Sequence, residues 1–156
     1  NWRDKFIRGP YFRAHAIARG VMLDTVETAI TWDRFFDLEQ KVKQAIRRAI
    51  REATGRDGTC TVRFTHLYPD GPAPYFTWHA FGDKARLPEQ FWAIKAAGSD
   101  AMLDAGGTIT HHHAIGRDHR QWYDRQRPPL FAEAFKGAKS RLDPHSVMNP
   151  GVLVDC

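Results

Sequence analysis

Two strand-like runs joined by a rigid turn limit the fold more than any other part of this sequence. Thr59–Tyr68 (TCTVRFTHLY) alternates in character, and Tyr75–Phe81 (YFTWHAF) is rich in aromatic residues. Between them stands Pro69-Asp70-Gly71-Pro72. Proline presets one torsion and glycine tolerates positive φ, so the stretch reads as a chain reversal and the flanks as an antiparallel hairpin. A period of two places Cys60, Val62 and Phe64 on one face with His66 and Tyr68, and turns Arg63 and Thr65 to the other.

The remaining elements follow from period and punctuation. Gly20–Ile30 is apolar and β-branched and predicts a strand. From Asp33 to Thr54, Phe35, Leu38, Val42, Ile46, Ala49 and Ala53 recur every three or four residues, which gathers them on one helical face. Thr31 or Asp33 can begin that helix, and Gly55 can end it in the left-handed conformation. Pro88 opens another helix, carrying Phe91, Ile94, Ala101 and Ala105 inward and stopping at Gly106-Gly107. Thr108–Thr110 predicts a short strand, and Pro129–Leu142 a last helix. Hairpins and helix crossovers alone connect these pieces. The expected class is α+β, an antiparallel sheet with helices packed on one face, plus a C-terminal helical tail.

Composition narrows the setting. The 156 residues suit one domain with a small appendage, and Asn1–Pro10 does not resemble a natural beginning, so a fragment of a longer protein is expected. No run of 18 apolar residues or secretory leader is visible. Two cysteines, Cys60 and Cys156, make no disulfide framework, which fits a reducing cytosolic setting. A net charge of +5 would suit an anionic substrate, a lipid headgroup or nucleic acid. Lys41, Lys43, Arg47, Arg48 and Arg51 could meet phosphates, but they lie opposite the apolar stripe and are most simply its solvated side. No Gly-rich phosphate loop occurs.

Four of the eight histidines fall within residues 106–119 (GGTITHHHAIGRDH). His111, His112 and His113 could hold a metal with His119 or a carboxylate, act as acid/base groups near neutral pH, or simply bond to backbone at a strand end. On a strand, His111 and His113 would share one face and His112 the other. Tyr68, at the hairpin mouth, is either packing or an acid/base group tuned by its neighbours. Arg13, in Gly9-Pro-Tyr-Phe-Arg13, has the right chemistry to grip a carboxylate or phosphate.

Residues 106–116 (GGTITHHHAIG), followed by residues 142–151 (LDPHSVMNPG), resemble the C-terminal part of FAD-linked oxidases of the vanillyl-alcohol-oxidase superfamily. Residues 24–33 (DTVETAITWD) are similar to that family's strand-to-helix entry, and residues 59–68 with Gly71 and Tyr75-Phe76-Thr77 to its tyrosine-bearing hairpin. Within the family, the chain is closest to the alkyldihydroxyacetonephosphate-synthase branch. The resemblance implies a substrate-binding cap domain over residues 1–118, with residues 119–156 returning to an N-terminal FAD-binding domain absent from this chain. It implies exchange of an acyl for an alkyl group through a flavin adduct, with a lipid-like anionic substrate, and leaves open peripheral membrane contact and a homodimer. It makes Tyr68 and the histidines His111, His112 and His113 catalytic, sets His112, His113 and Asn149 toward the cofactor, and gives Arg13 to the substrate anion. The fragment alone should be inactive and colourless.

There are departures. Ala114 replaces a glycine of that branch, and Pro72 and Pro74 stiffen the turn. Metal-dependent dehydrogenases of the family carry Gly-Glu-His-Gly at the triplet and a second hairpin histidine near the place of Tyr75. Here only His66 remains, which favours proton transfer beside a flavin over a metal cage. The rival expectations are an FAD-dependent oxidase or dehydrogenase of an alcohol or 2-hydroxy acid, and a nucleic-acid-binding module.

Overall fold

The computed structural model describes residues 2–155, so the expectation about Cys156 lies outside the described residues. In chain order the elements are α1 (Trp2–Ala18), β1 (Val21–Glu27), α2 (Trp32–Thr54), β2 (Thr59–Leu67), β3 (Pro72–Phe81), α3 (Leu87–Asp104), α4 (Arg120–Gln126) and α5 (Pro129–Leu142). The strands form one antiparallel sheet in the order β1-β3-β2, with β3 central. An antiparallel sheet with helices on one face and a helical tail, an α+β fold, is what is observed.

One face of the sheet is dry. Met22 and Val26 of β1, Cys60 of β2, and Phe76, Trp78 and Ala80 of β3 pack against Leu38, Val42, Ile46 and Ile50 of α2 and Ile94 and Met102 of α3. Fully burying an aliphatic side chain of this size stabilises a fold by about 1.5–3 kcal/mol, so this layer is the core. Burial also pushes the Cys60 thiol up to about 11, which leaves it an inert packing group. Gly55 ends α2 at φ 69° and its N–H bonds to the Arg51 carbonyl. Thr31 caps the start of α2 by position, without the side-chain bond that its hydroxyl could have made.

The other face is open and carries the polar side chains. Cross-strand pairs share a face, so Glu27, Tyr75 and Arg63 stand in one row, and Thr25, Thr77 and Thr61 in the next. The Arg63 guanidinium lies 4.7 Å from the centre of the Tyr75 ring.

The structure corrects two local expectations. A register shift between Phe64 and His66 sets His66 opposite Ala73, so it leaves the Cys60 and Val62 face and joins Arg63 and Tyr75 on the open one. Residues 108–110 form no strand: the Ile109 N–H goes to the Gln126 side chain and the Thr108 N–H to the Ala29 carbonyl, in place of a ladder. Arg13, assigned to no element from sequence, lies inside helix α1, which runs through Pro10 and ends just before the first strand. Two helices, α1 and α4, have no counterpart in the sequence reading.

The segment after α3 is tied down closely. The Thr28 hydroxyl donates to the Thr108 carbonyl at 2.6 Å, the Thr108 hydroxyl accepts from the Ala29 N–H, and the Gln126 amide donates to the Gly107 carbonyl. Gly107 sits where a Cβ would lie 2.6 Å from Thr28 Oγ1 and 2.7 Å from a Leu38 methyl. Gly107→Ala should therefore cost about 1–3 kcal/mol, the usual range for overpacking. Urea unfolding measures it, and an unchanged midpoint would contradict this packing.

Candidate active site

Four segments meet at one end of the open face: the end of β1, the end of β2, the turn carrying Tyr68, and residues 110–113. The hairpin is held by its own geometry and by α2. Tyr68 and Gly71 exchange backbone bonds of 3.0 and 3.3 Å, the Trp32 indole N–H donates to the Tyr68 carbonyl at 3.1 Å, and the Trp32 N–H donates to the Asp70 carbonyl. Trp32, Phe35 and Phe64 pack edge to face between helix and hairpin. The Tyr68 backbone is thus fixed while its phenol stays 43% exposed.

The histidine loop is organised by Glu27, the last residue of β1 and 1% exposed. Its Oε1 accepts the backbone N–H groups of His111, His112 and His113 at 2.6, 2.7 and 2.7 Å. Its Oε2 lies 3.0 Å from His112 Nδ1 and 3.8 Å from His111 Nδ1, in neither case with hydrogen-bond alignment. Burial pushes the Glu27 carboxyl upward, but the three N–H donors together with the Thr110 hydroxyl outweigh it and hold the group below its ordinary value. Glu27 is therefore a carboxylate folded into a ring of donors. The Thr110 hydroxyl closes the loop by donating to the His113 carbonyl.

The triplet does not alternate as it would on a strand, because three consecutive N–H groups converge on one oxygen. His111 turns its Nε2 to the Tyr68 hydroxyl at 3.0 Å. His66 stacks parallel to Tyr68, its ring centre 6.1 Å away, and lies 5.0 and 5.3 Å from the rings of His111 and His112. Tyr75 lies flat against His112 and edge-on to His113, at 6.0 and 5.5 Å. Burial holds the His113 imidazole below its ordinary value; Glu27 opposes this, and His112, His119 and Lys95 reinforce it. His113 is thus neutral near pH 7. Ring nitrogens of His66, His111 and His112 lie within 4.8 Å of one another, a group an ion could draw together. In the structure, His111 turns its Nε2 to Tyr68 instead, and His112 Nδ1 stands 3.0 Å from Glu27 Oε2.

Of the residues singled out from sequence, Tyr68, His111, His112 and His113 are brought together. Arg13 is elsewhere, on the helix side of the sheet, 3.7 Å from Asp24 and 6.0 Å from the centre of the Phe91 ring. Asp24 is also bonded to the buried Lys95 at 2.8 Å. Asn149, at φ 48°, belongs to the C-terminal turns, where Arg117 donates twice to the neighbouring Pro150 carbonyl. Glu27 and His66 were missed. The signal for Glu27 was its place: an acidic residue closing an otherwise apolar and β-branched strand run must find buried partners.

Acid should loosen this site, in two windows. Both shifted groups are depressed, so each stabilises the fold above its unfolded value and loses that contribution as pH falls through its folded one. For His113 the loss begins below the ordinary 6.5, and for Glu27 below 4.5. Urea midpoints should fall from pH 7 to pH 4, His113→Asn removing the upper part of the slope and Glu27→Gln the lower. Midpoints independent of pH would contradict both assignments. Glu27→Ala strands three N–H donors and should cost about 3 kcal/mol or more at pH 7, since each unsatisfied buried donor costs about 1–3 kcal/mol.

Comparison with known proteins shows the family of the chain. A family model described as FAD linked oxidases, C-terminal domain, matches residues 1–153. Alkyldihydroxyacetonephosphate synthase of Caenorhabditis elegans is 29% identical over 148 residues, 93% of this chain and 25% of that protein. The synthase of Trypanosoma brucei brucei is 28% identical over 153 residues, 98% of this chain and 25% of that protein. The chain thus spans about a quarter of the length of these curated relatives. A solved structure of an alkyldihydroxyacetonephosphate synthase shares the fold, with a TM-score of 0.63 at 19% identity over 96% of this chain and 23% of that one.

Proposed function

The chain belongs to the FAD-linked oxidases as their C-terminal domain, and from that premise we propose that it forms the substrate-binding cap of an alkyldihydroxyacetonephosphate-synthase-like enzyme. In this reading residues 1–118 are the cap, residues 119–156 lead back to an FAD-binding domain of the same polypeptide, and the cluster at the sheet end closes over the reacting centre. The observation that carries it is the 3.0 Å contact of the Tyr68 hydroxyl with His111 Nε2, on an open face beside two further imidazoles.

The residues fit a flavin neighbour. Tyr68 and His112 are exposed and His113 is half-buried, while the dry side of the sheet is sealed by α2 and α3. His112 and His113 would line the cofactor side. FAD, when bound, supplies a ring that can accept and return an electron pair at the substrate carbon.

Each remaining task falls to the chain. Tyr68 donates a proton to the oxygen of a departing group, a carboxylate in the acyl-for-alkyl exchange, and accepts one from the entering alcohol. His111 Nε2 is the hydrogen-bond partner that holds the phenol in place. His113, neutral and half-buried, takes the carbon-bound proton, leaving its electron pair on the carbon, and returns a proton there once the alcohol has entered. Arg13, held by Asp24 and Phe91 on the helix side of the sheet, stands away from this cluster and takes no part in it. A peripheral membrane site would suit a long-chain substrate, and a cytosolic face would suit the reduced Cys60.

Tyr68→Phe in the full-length, FAD-loaded protein should lower kcat by about 10²–10⁴-fold, the usual worth of one acid/base group, with FAD content unchanged. Unchanged turnover would overturn the assignment. Anaerobic mixing with substrate should leave the flavin oxidised at the end of turnover; net bleaching would point to an oxidase or dehydrogenase instead.

A further inference from the structure

We propose that Glu27 is the positioning residue of the site and that it sets which nitrogen of His111 and of His112 carries the proton. The proposal rests on the reading of Tyr68 as the acid/base group only for its consequence in turnover. The tautomers themselves follow from the fold.

An ionised carboxylate can only accept hydrogen bonds. Glu27 is held ionised by three backbone N–H groups on Oε1, so Oε2 offers lone pairs and nothing else. His112 Nδ1 stands 3.0 Å from it. The approach lacks hydrogen-bond alignment, so the carboxylate acts through its field: a hydrogen on Nδ1 stands nearer the negative oxygen than one on Nε2, which favours Nδ1 bearing the hydrogen and leaves Nε2 bare. His111 Nδ1 is buried, without a hydrogen-bond partner, and 3.8 Å from the same oxygen. The carboxylate field again favours the hydrogen on Nδ1, and it is little screened because Glu27 is 1% exposed.

The consequence for Tyr68 is direct. With Nδ1 protonated, His111 Nε2 is a lone-pair acceptor, and the 3.0 Å contact is Tyr68 O–H donating to nitrogen. With the other tautomer, His111 would donate to the phenol oxygen and turn its hydroxyl hydrogen elsewhere. One buried carboxylate at the end of β1 thereby holds three functional parts at once: the loop backbone, the tautomer of two imidazoles, and the direction in which Tyr68 presents its proton. Nitrogen donors oriented by a carboxylate behind them are a recurrent device for fixing a histidine tautomer.

Long-range ¹H–¹⁵N NMR of the imidazoles in this chain at pH 7.5 tests it. In the wild type, His111 and His112 should both show a protonated Nδ1 and a bare Nε2. Glu27→Gln keeps a carbonyl for the backbone donors but replaces Oε2 by an N–H₂ donor, so both rings should switch to the Nε2–H form. Tyr68→Phe should leave both as Nδ1–H, because the carboxylate and not the phenol sets them. The full-length, FAD-loaded Glu27→Gln protein should lose about 10²–10⁴-fold in turnover, as when a histidine is held in the wrong tautomer. An Nε2–H form in the wild type, no switch in Glu27→Gln, or a switch in Tyr68→Phe would each overturn the proposal. If Glu27→Gln does not fold, the wild-type and Tyr68→Phe spectra decide alone. Failure of the acid/base reading would appear separately, as the switch occurring with turnover unaffected by Tyr68→Phe.

Discussion

Everything at the working end of this domain depends on one carboxylate in a ring of backbone donors. Three successive N–H groups rarely converge on a single point, because a strand sends them alternately to either side and a helix sends them along its axis. Here the chain at His111–His113 curls around Glu27 Oε1, and the convergence is what makes a loop with no ladder of its own into a fixed platform. The cost of burying a charge is offset by those bonds, since charge-assisted bonds are about twice as strong as neutral ones. A triplet of histidines on a free loop would present three mobile rings. On this platform they present rings with different neighbours: the Tyr68 hydroxyl for His111, Glu27 and the face of Tyr75 for His112, and the Tyr75 ring edge-on for His113.

The scaffold supplies the other half of the constraint. β3 is the central strand, so Tyr75 and its row stand on the stiffest part of the sheet. The register shift between Phe64 and His66 then turns the end of β2 so that its histidine faces the same way. Trp32 pins the Tyr68 backbone from α2. Gln126 brackets Gly107 and Ile109 from α4, so the helix that follows the histidines also holds the segment that precedes them. A second carboxylate repeats the device near the C-terminus, where Asp143 accepts the Val147 and Met148 N–H groups, with Lys139 bonded to it.

Much of this was legible in the sequence, for physical reasons that can be named. The hairpin was written in Pro69-Asp-Gly-Pro72, α2 in its apolar stripe, and the likeness to flavin-linked oxidases in GGTITHHHAIG and DPHSVMNPG. What escaped was set by side chains meeting across long separations. Helix α1 carries Gly9-Pro10 in its interior and so reads as a break, yet it persists through Pro10 alongside β1. Helix α4 is seven residues long, too short for a period to declare itself, and is held by the buried Trp122, whose indole donates to Asp100. Thr108-Ile-Thr110 has strand composition, but its donors and acceptors go to Gln126, Ala29 and Thr28 instead of a neighbouring strand. The bulge in β2 left no mark in the residue pattern, so the face of His66 could not be read from it. Glu27 belongs to the same class: 84 to 86 residues separate it from the groups it binds, and no local rule links them.

The central claim is that Glu27 acts on the chemistry through His111 and Tyr68 as one unit. A double-mutant cycle on turnover of the full-length, FAD-loaded protein addresses it most directly, because residues that act as a unit are non-additive. Combining Glu27→Gln with Tyr68→Phe should leave kcat within a few-fold of Tyr68→Phe alone. If the two losses instead multiply, Glu27 and Tyr68 contribute independently and the account is wrong.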